Sequence, residues 1–169
     1  MARLSELGVD FEHWCFACGR LNPSGLHLEF DVTRGRAEAR YTGDQAHQGY
    51  DGLLHGGVVT ALLDETMGWA IFQQGVWGVT ARLTVTFRSP VPVGEELVVV
   101  GEIVRERDKS IETHGQLTRA SNSEVFAEAD AVFMRMPEEK RRELSARYRV
   151  DGAFERIRDA VEREEPSRR

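Results

Sequence analysis

Two adjacent acidic residues stand in the middle of an otherwise apolar stretch of the chain. Asp64 and Glu65 interrupt the run 58–72, in which apolar side chains occupy every face of the helix that the run predicts. Such a helix is expected to be enclosed by the protein. Adjacent helical residues point about 100° apart, so Asp64 and Glu65 should meet different surroundings. Because a buried carboxylate must be paired, protonated or placed in a wet cleft, each is either an ion-pair partner for an arginine or part of a functional site.

The residues just before this run favour the functional reading. Gly56 and Gly57 open the predicted helix, so backbone N–H groups at its start have no side chain to block the approach of another molecule. Such a helix start stabilises a developing negative charge. Exposed amides together with a carboxylate further along the helix suit acyl transfer, which needs one group to attack or to activate water and another to hold the oxyanion.

The spacing of these residues forms a recognisable motif. The pattern is H-G-G-x-x-x-x-L-x-D, formed here by His55, Gly56, Gly57, Leu62 and Asp64. It resembles the signature of hotdog-fold acyl-CoA thioesterases of the phenylacetyl-CoA thioesterase type. Residues 80–90 and the leader 15–26 also resemble that family, so the likeness covers about residues 12–136. It implies an α+β hotdog fold, with an antiparallel β-sheet wrapped around one central helix.

The same resemblance implies catalytic roles for three residues. Asp64 is the expected general base on water or the nucleophile on the thioester carbonyl, and these two roles stay open. The Gly57 N–H, with Gly56 beside it, is expected to polarise the carbonyl. Thr80 matches a Ser or Thr that some relatives use from the neighbouring subunit to position the attacking water; the alternative is an ordinary strand threonine.

Further residues around the motif are candidates for substrate binding. Glu65 is the alternative carboxylate, and His55 is expected to bond the loop before the helix rather than to act as a base. Several relatives place Asn or Gln six residues before this histidine, where this chain has Gly49, so Gln48 or His47 would have to substitute.

Two arginines are candidates for binding coenzyme A. Arg88 ends the strand predicted before Ser89-Pro90, and the forked guanidinium suits phosphate oxygens. Arg82 is a weaker candidate. Each could equally be a surface arginine with no ligand.

The two cysteines form a single C-x-x-C. Cys15 and Cys18 have no second such pair, and the nearby histidines are His13 and His27. A structural zinc needs about four ligands, so we expect no metal and no cofactor. A thioredoxin-type pair belongs to a βαβ unit, which this region lacks. We expect a reduced pair, packed beneath Trp14 and Phe16 at one end of the domain.

Composition narrows the class of protein. The chain has 169 residues, 30% of them charged, and a net charge of −6, which argues against a nucleic-acid surface. It contains no apolar run long enough to span a membrane, and its N-terminus lacks the order of a signal peptide. These features predict a cytoplasmic protein with no membrane or nucleic-acid partner.

Alternation of apolar residues predicts six strands around the helix. Two strands, 26–32 and 36–41, precede the helix, and four follow it: 79–87, 97–107, 111–119 and 125–136. In strand 79–87 the odd-numbered residues form the apolar face and Thr80 falls on the polar face. Four consecutive strands without crossovers require an antiparallel sheet, and a helix apolar on all sides must be wrapped by it.

The chain divides by composition at Pro137. Residues 1–136 are predicted to form the thioesterase domain with its leader, and 137–169 a charged helical tail. We expect this tail to be solvated, although Phe154, Ile157 and Val161 share the spacing of a face that could dock on a neighbour.

These patterns together favour an acyl-CoA thioesterase that converts an acyl-CoA to free acid and CoA. The resemblance implies a homodimer or a tetramer built as a dimer of dimers, with Thr80 of one chain reaching Asp64 of another. The alternatives are a non-catalytic acyl-CoA-binding module of the same fold and a hydratase or dehydratase. The sequence does not identify the acyl group.

Overall fold

The structure is a computed structural model that describes residues 1–9, 11–148 and 152–164. Its strands are β1 (Ala2–Arg3), β2 (Phe30–Thr33), β3 (Arg36–Thr42), β4 (Gly78–Phe87), β5 (Glu96–Glu106), β6 (Ser110–Arg119) and β7 (Val125–Arg135). Its α-helices are α1 (Gly56–Phe72), α2 (Glu138–Tyr148) and α3 (Ala153–Glu164). The predicted order of strands and central helix is confirmed from β2 to β7, with the very short β1 as an addition.

The strands form one antiparallel sheet that curves around α1. The strand order is β1-β2-β3-β5-β6-β7-β4, so β4 lies at an edge although it follows α1 directly. Buried side chains on most of α1 and on the facing strands make a single core. The remaining side of α1, which carries Asp64, Glu65 and Gly68, is only partly buried, so the helix is not enclosed all round as its sequence predicted. The predicted α+β hotdog fold is confirmed.

A glycine on β5 allows α1 to approach the sheet closely. A Cβ placed on Gly101 would lie 2.7 Å from the backbone nitrogen and Cα of Met67, too close for any side chain. Gly101 pairs across the strands with Gly115, where a Cβ would lie 3.1 Å from the Met67 sulfur. The helix therefore rests directly on this pair of glycines, and that contact fixes the depth of α1 within the sheet.

The sequence pattern predicted a regular alternation of side chains along strand β4, but the strand contains an irregularity. Its register against β7 shifts between Thr80, which faces Phe133, and Arg82, which faces Val132. The extra residue is Ala81, and a bulge of this kind reverses which face the preceding side chains occupy. Thr80 consequently lies on the same side as buried Phe133 and faces α1, whereas the sequence placed it on the outer, polar face.

The N-terminal segment differs from its predicted packing. Cys18 is buried, but Trp14 and Phe16 are exposed by 70% and 45%, so they do not cover the cysteines. The segment is held instead by Phe11, whose ring contacts that of Trp69 on α1, with the ring centroids 5.5 Å apart.

The C-terminal tail is helical, as predicted, but it is not a solvated appendage. Ala153, Ile157 and Val161 of α3 are buried in the main core. Arg156 donates to the carbonyl oxygens of Leu7 and Gly8, which ties α3 to the start of the chain. The parts of the tail at 149–151 and 165–169 lie outside the described residues.

None of the helices in the described parts of the chain is long and apolar enough to cross a membrane.

Candidate functional site

A cavity of about 340 Å³ opens beside the middle of α1. Its apolar wall is largely aromatic and comes from four elements or connections: Trp69 and Phe72, Trp77, Phe133 and Tyr148. Its polar wall contains Asp64, Glu65, Thr80, Cys15 and His13. The volume and the mixture of apolar lining with a few polar groups are typical of a small-molecule site.

Asp64 and Thr80 form a hydrogen-bonded pair on the polar wall. The Thr80 hydroxyl donates to Asp64 Oδ1 at 2.8 Å. Burial raises the pKa of Asp64, and the Thr80 hydrogen bond, which favours the ionised form, opposes that rise. The resemblance implied that this contact joins two chains, but in the structure both residues belong to one chain. The cause is the bulge at Ala81, which turns Thr80 towards its own helix.

Glu65 faces a different part of the same wall. The Trp69 indole donates to Glu65 Oε1 at 3.2 Å, and the Cys15 sulfur lies 3.8 Å from both carboxylate oxygens. Burial raises the pKa of Glu65 to about 7. The expectation that the two adjacent carboxylates meet different surroundings is confirmed.

Both cysteines are reduced, and both lie near Glu65. The Cys18 thiol donates to Cys15 and lowers the pKa of Cys15 to about 5, while this interaction and burial raise the pKa of Cys18. The cysteines and histidines near the C-x-x-C in the sequence gave no indication of Glu65 as a partner. Glu65 is 47 positions beyond Cys18 and meets it only through the fold.

The helix start differs in one respect from its predicted role. His55 is the N-cap residue of α1, and its Nδ1 accepts the Gly57 N–H at 2.9 Å. His55 is thus the structural histidine that the sequence predicted, but the Gly57 amide is already bonded. Gly56 is the first helical residue and its N–H has no acceptor within the helix, so it is the amide better placed to receive a substrate oxygen.

The helix start and Asp64 do not meet within one chain. Gly56 and Asp64 are eight residues apart on α1, about 12 Å along its axis at 1.5 Å per residue. One carbonyl oxygen cannot contact both. His55, Gly56 and Gly57 are exposed and do not line the cavity.

The remaining predicted binding residues also lie away from the cavity. Gln48 Oε1 accepts the Gly52 N–H at 3.2 Å and so closes the loop before the helix. Arg88 forms an ion pair with Glu128, with a nitrogen–oxygen distance of 2.9 Å. The Arg82 side chain is exposed on the outer face of β4.

Residues 51–126 match the thioesterase superfamily. A similar curated protein is the mouse acyl-coenzyme A thioesterase THEM4, which is 26% identical over 69% of this chain and 52% of its own length. The chain thus spans about half the length of the THEM4 relatives that it matches.

Solved structures show the same architecture. A thioesterase superfamily protein is 27% identical, with a TM-score of 0.66 over 70% of this chain and 62% of that one. The PaaI protein of Escherichia coli, from the phenylacetic acid degradation operon, has a TM-score of 0.62 at 18% identity, covering 65% and 84%. The chain therefore has the hotdog fold of these structures, and its residues 51–126 are similar to the thioesterase superfamily.

Proposed function

We propose that this domain hydrolyses acyl-CoA thioesters, with Asp64 as the group that activates water or attacks the thioester carbonyl. The observation that carries the proposal is the Asp64–Thr80 pair on the polar wall of a cavity that also has an aromatic wall. A carboxylate with a raised pKa and one fixed hydroxyl partner is suited to accept a proton or to act as a nucleophile. The naming of a curated relative as an acyl-coenzyme A thioesterase supports CoA as the carrier.

The presence of an aromatic wall and a polar wall in the cavity supports one orientation of the bound substrate. The acyl group would lie against the aromatic wall, because the apolar lining of a ligand cavity accommodates the apolar part of the ligand. The thioester carbon would then lie near Asp64 and Thr80. The CoA portion would extend outward, where Arg88 remains a predicted phosphate contact that would have to leave Glu128.

We further propose that a second copy of the chain completes the site. Because Gly56 and Asp64 of one helix are about 12 Å apart, the amide that holds the developing oxyanion would come from the other copy. Strand β4 supports this assembly, since it lies at a sheet edge and exposes Val79 and Phe87 by 53% each. Phe87 also lies beside the helix start, where its ring is 3.5 Å from a Cβ placed on Gly56.

The test of the activity is release of free thiol from a panel of acyl-CoA substrates, with Asp64→Asn and Glu65→Gln as paired variants. Asp64→Asn keeps the size of the side chain but removes its charge and basicity, so we expect turnover to fall by at least about 10² while the fold survives. Glu65→Gln should reduce turnover far less.

Two results would contradict this assignment. If the wild type bound the panel without turnover, the domain would be an acyl-CoA-binding module. If Asp64→Asn lowered the melting temperature but kept the turnover per folded molecule, the carboxylate would have a structural role, because a hydrogen bond to a charged group contributes about 1.5–3 kcal/mol to stability.

A further inference from the structure

We propose that Cys15, Cys18 and Glu65 form a Zn²⁺ site whose fourth coordination position opens towards the cavity. The ligand atoms of these three residues, two Sγ and one carboxylate oxygen, all lie within 4.8 Å of one another. Tetrahedral zinc with Zn–S near 2.3 Å and Zn–O near 2.0 Å places its ligand atoms about 3.5–3.8 Å apart. The Cys15 sulfur is already 3.8 Å from both Glu65 oxygens, so only small side-chain rotations would close the site.

The backbone around the cysteines is shaped to direct both sulfurs to one point. Gly19 follows the C-x-x-C, and its N–H donates to the Cys15 carbonyl oxygen at 3.0 Å, which closes a tight turn. A Cβ on Gly19 would lie 2.3 Å from the His13 carbonyl oxygen, so the turn accepts no other residue.

The carboxylate is also held in place by a neighbour. The Trp69 indole donates to Glu65 Oε1 at 3.2 Å, which is the kind of outer contact that orients a ligating carboxylate. His13 is not a fourth ligand in this arrangement, because its Nδ1 accepts the Cys15 N–H at 3.3 Å and the ring is not among the clustered groups.

The chemistry of the three ligands selects the metal. Two thiolates exclude Mg²⁺ and Ca²⁺, which prefer oxygen, and the mixture of sulfur with a carboxylate suits Zn²⁺. Three protein ligands with one open position are typical of zinc sites that also bind water or a substrate group. Cys15 and Glu65 line the cavity whereas Cys18 is buried behind them, so the open position faces the cavity.

The site would also have a structural effect. Cys15 and Cys18 belong to the N-terminal segment and Glu65 to α1, so the metal would join the two across the cavity wall. Because a metal that binds only the folded state stabilises it, Zn²⁺ should raise the melting temperature of the metal-free protein. The sequence predicted no metal because Glu65 lies far from the cysteines along the chain and meets them only in the fold.

The experiment is a titration of the reduced, metal-free full chain with Co²⁺, which reports thiolate ligation by charge-transfer absorption and tetrahedral geometry by intense visible bands. We expect both signals to saturate at about one Co²⁺ per chain and to vanish on addition of Zn²⁺. Elemental analysis of the zinc-loaded protein should give the same ratio.

Variants assign the ligands. Cys15→Ser and Cys18→Ser should each remove most of the charge-transfer signal, and Glu65→Gln should weaken Co²⁺ binding at least about tenfold. Asp64→Asn is the matched control, because it changes the adjacent carboxylate on the same helix and should leave metal binding intact. Circular dichroism confirms that each variant is folded.

The proposal is overturned if the folded wild type gives no thiolate charge-transfer band, or if Asp64→Asn and Glu65→Gln weaken binding equally. The wild-type titration decides the question even if a cysteine variant fails to fold. Its outcome is independent of thioesterase activity, since absorption and metal content are measured without substrate.

Discussion

Asp64 and Glu65 are neighbours in the sequence, yet their side chains meet different chemistry. Asp64 meets a hydroxyl that also lines the cavity, whereas Glu65 meets an indole and two thiols. The pKa of each is raised by burial, but only Asp64 has the single polar partner expected of a base or nucleophile. This division is the physical reason for assigning hydrolysis to one carboxylate and metal binding to the other.

The Asp64–Thr80 pair predicts that removing the Thr80 hydroxyl changes the pH dependence of kcat/KM. The acid limb of kcat/KM should follow ionisation of Asp64, with activity lost as the pH falls through its raised pKa. Thr80→Val removes the hydroxyl that favours the ionised form, so this limb should move to higher pH. Thr80→Ser keeps the hydroxyl and should leave the limb in place, and identical profiles for wild type and Thr80→Val would argue against Asp64 as the titrating group.

Helix α1 determines where both carboxylates lie, and its position depends on the glycines beneath it. Gly101 has no space for a Cβ against the Met67 backbone, so any side chain there must push the helix away from β5. The bulge in β4 then decides which strand residue reaches the helix. Together, these two local features bring Asp64 and Thr80 within hydrogen-bond distance.

We predict opposite effects for two glycine-to-alanine changes around α1. Gly101→Ala should destabilise the fold by about 1–3 kcal/mol, the usual cost of overpacking a core. Gly68→Ala, where the new Cβ meets only the Phe133 ring at 3.9 Å, should stabilise the helix by up to about 1 kcal/mol. Urea unfolding of the two variants measures both, and a neutral Gly101→Ala would show that α1 is not in tight contact with β5.

Both C-terminal helices belong to the folded unit: α3 packs in the core, and α2 contributes to the wall of the cavity. Tyr148 of α2 lines the cavity, and α3 is tied to the first residues of the chain through Arg156. The two ends of the chain therefore support one another.

Removing the main apolar contact of α3 should test whether the tail belongs to the folded unit. Ile157 is fully buried, so Ile157→Ala should cost about 2–5 kcal/mol if α3 unfolds together with the core. The neighbouring Arg158 is exposed, and Arg158→Ala serves as the control with little expected effect. Equal melting temperatures for the two variants would mean that α3 is solvated and not packed on the core, as its composition predicted.

Assembly can be tested by mixing two inactive proteins. Gly56→Pro removes the first helical N–H at a position where proline fits a helix, and Gly56→Ala keeps that N–H and meets only the Phe87 ring at 3.5 Å. We expect Gly56→Pro to be inactive and Gly56→Ala to be active.

Refolding Gly56→Pro together with Asp64→Asn should restore about a quarter of the wild-type activity, because half of random dimers are mixed and each has one intact site of two. A mixture that stays inactive would mean that a single chain supplies the whole site. Light scattering on the wild type gives the number of chains.

The sequence alone determined the central helix, the antiparallel sheet and Asp64 as the leading candidate, because periodicity and motif spacing are local properties of the chain. It also predicted a structural role for His55, although it expected the bond to reach the loop before the helix and not the Gly57 N–H. It placed Thr80 on the wrong face, since one inserted residue in β4 reverses the alternation and leaves no mark in the composition.

Tertiary structure decided the contacts between residues far apart in the chain. The pairing of Thr80 with its own Asp64 depends on strand register, the meeting of Cys15 and Cys18 with Glu65 depends on how the N-terminal segment folds over α1, and burial of α3 depends on the shape of the surface beneath it. Each is a long-range packing outcome that no local pattern of residue types encodes.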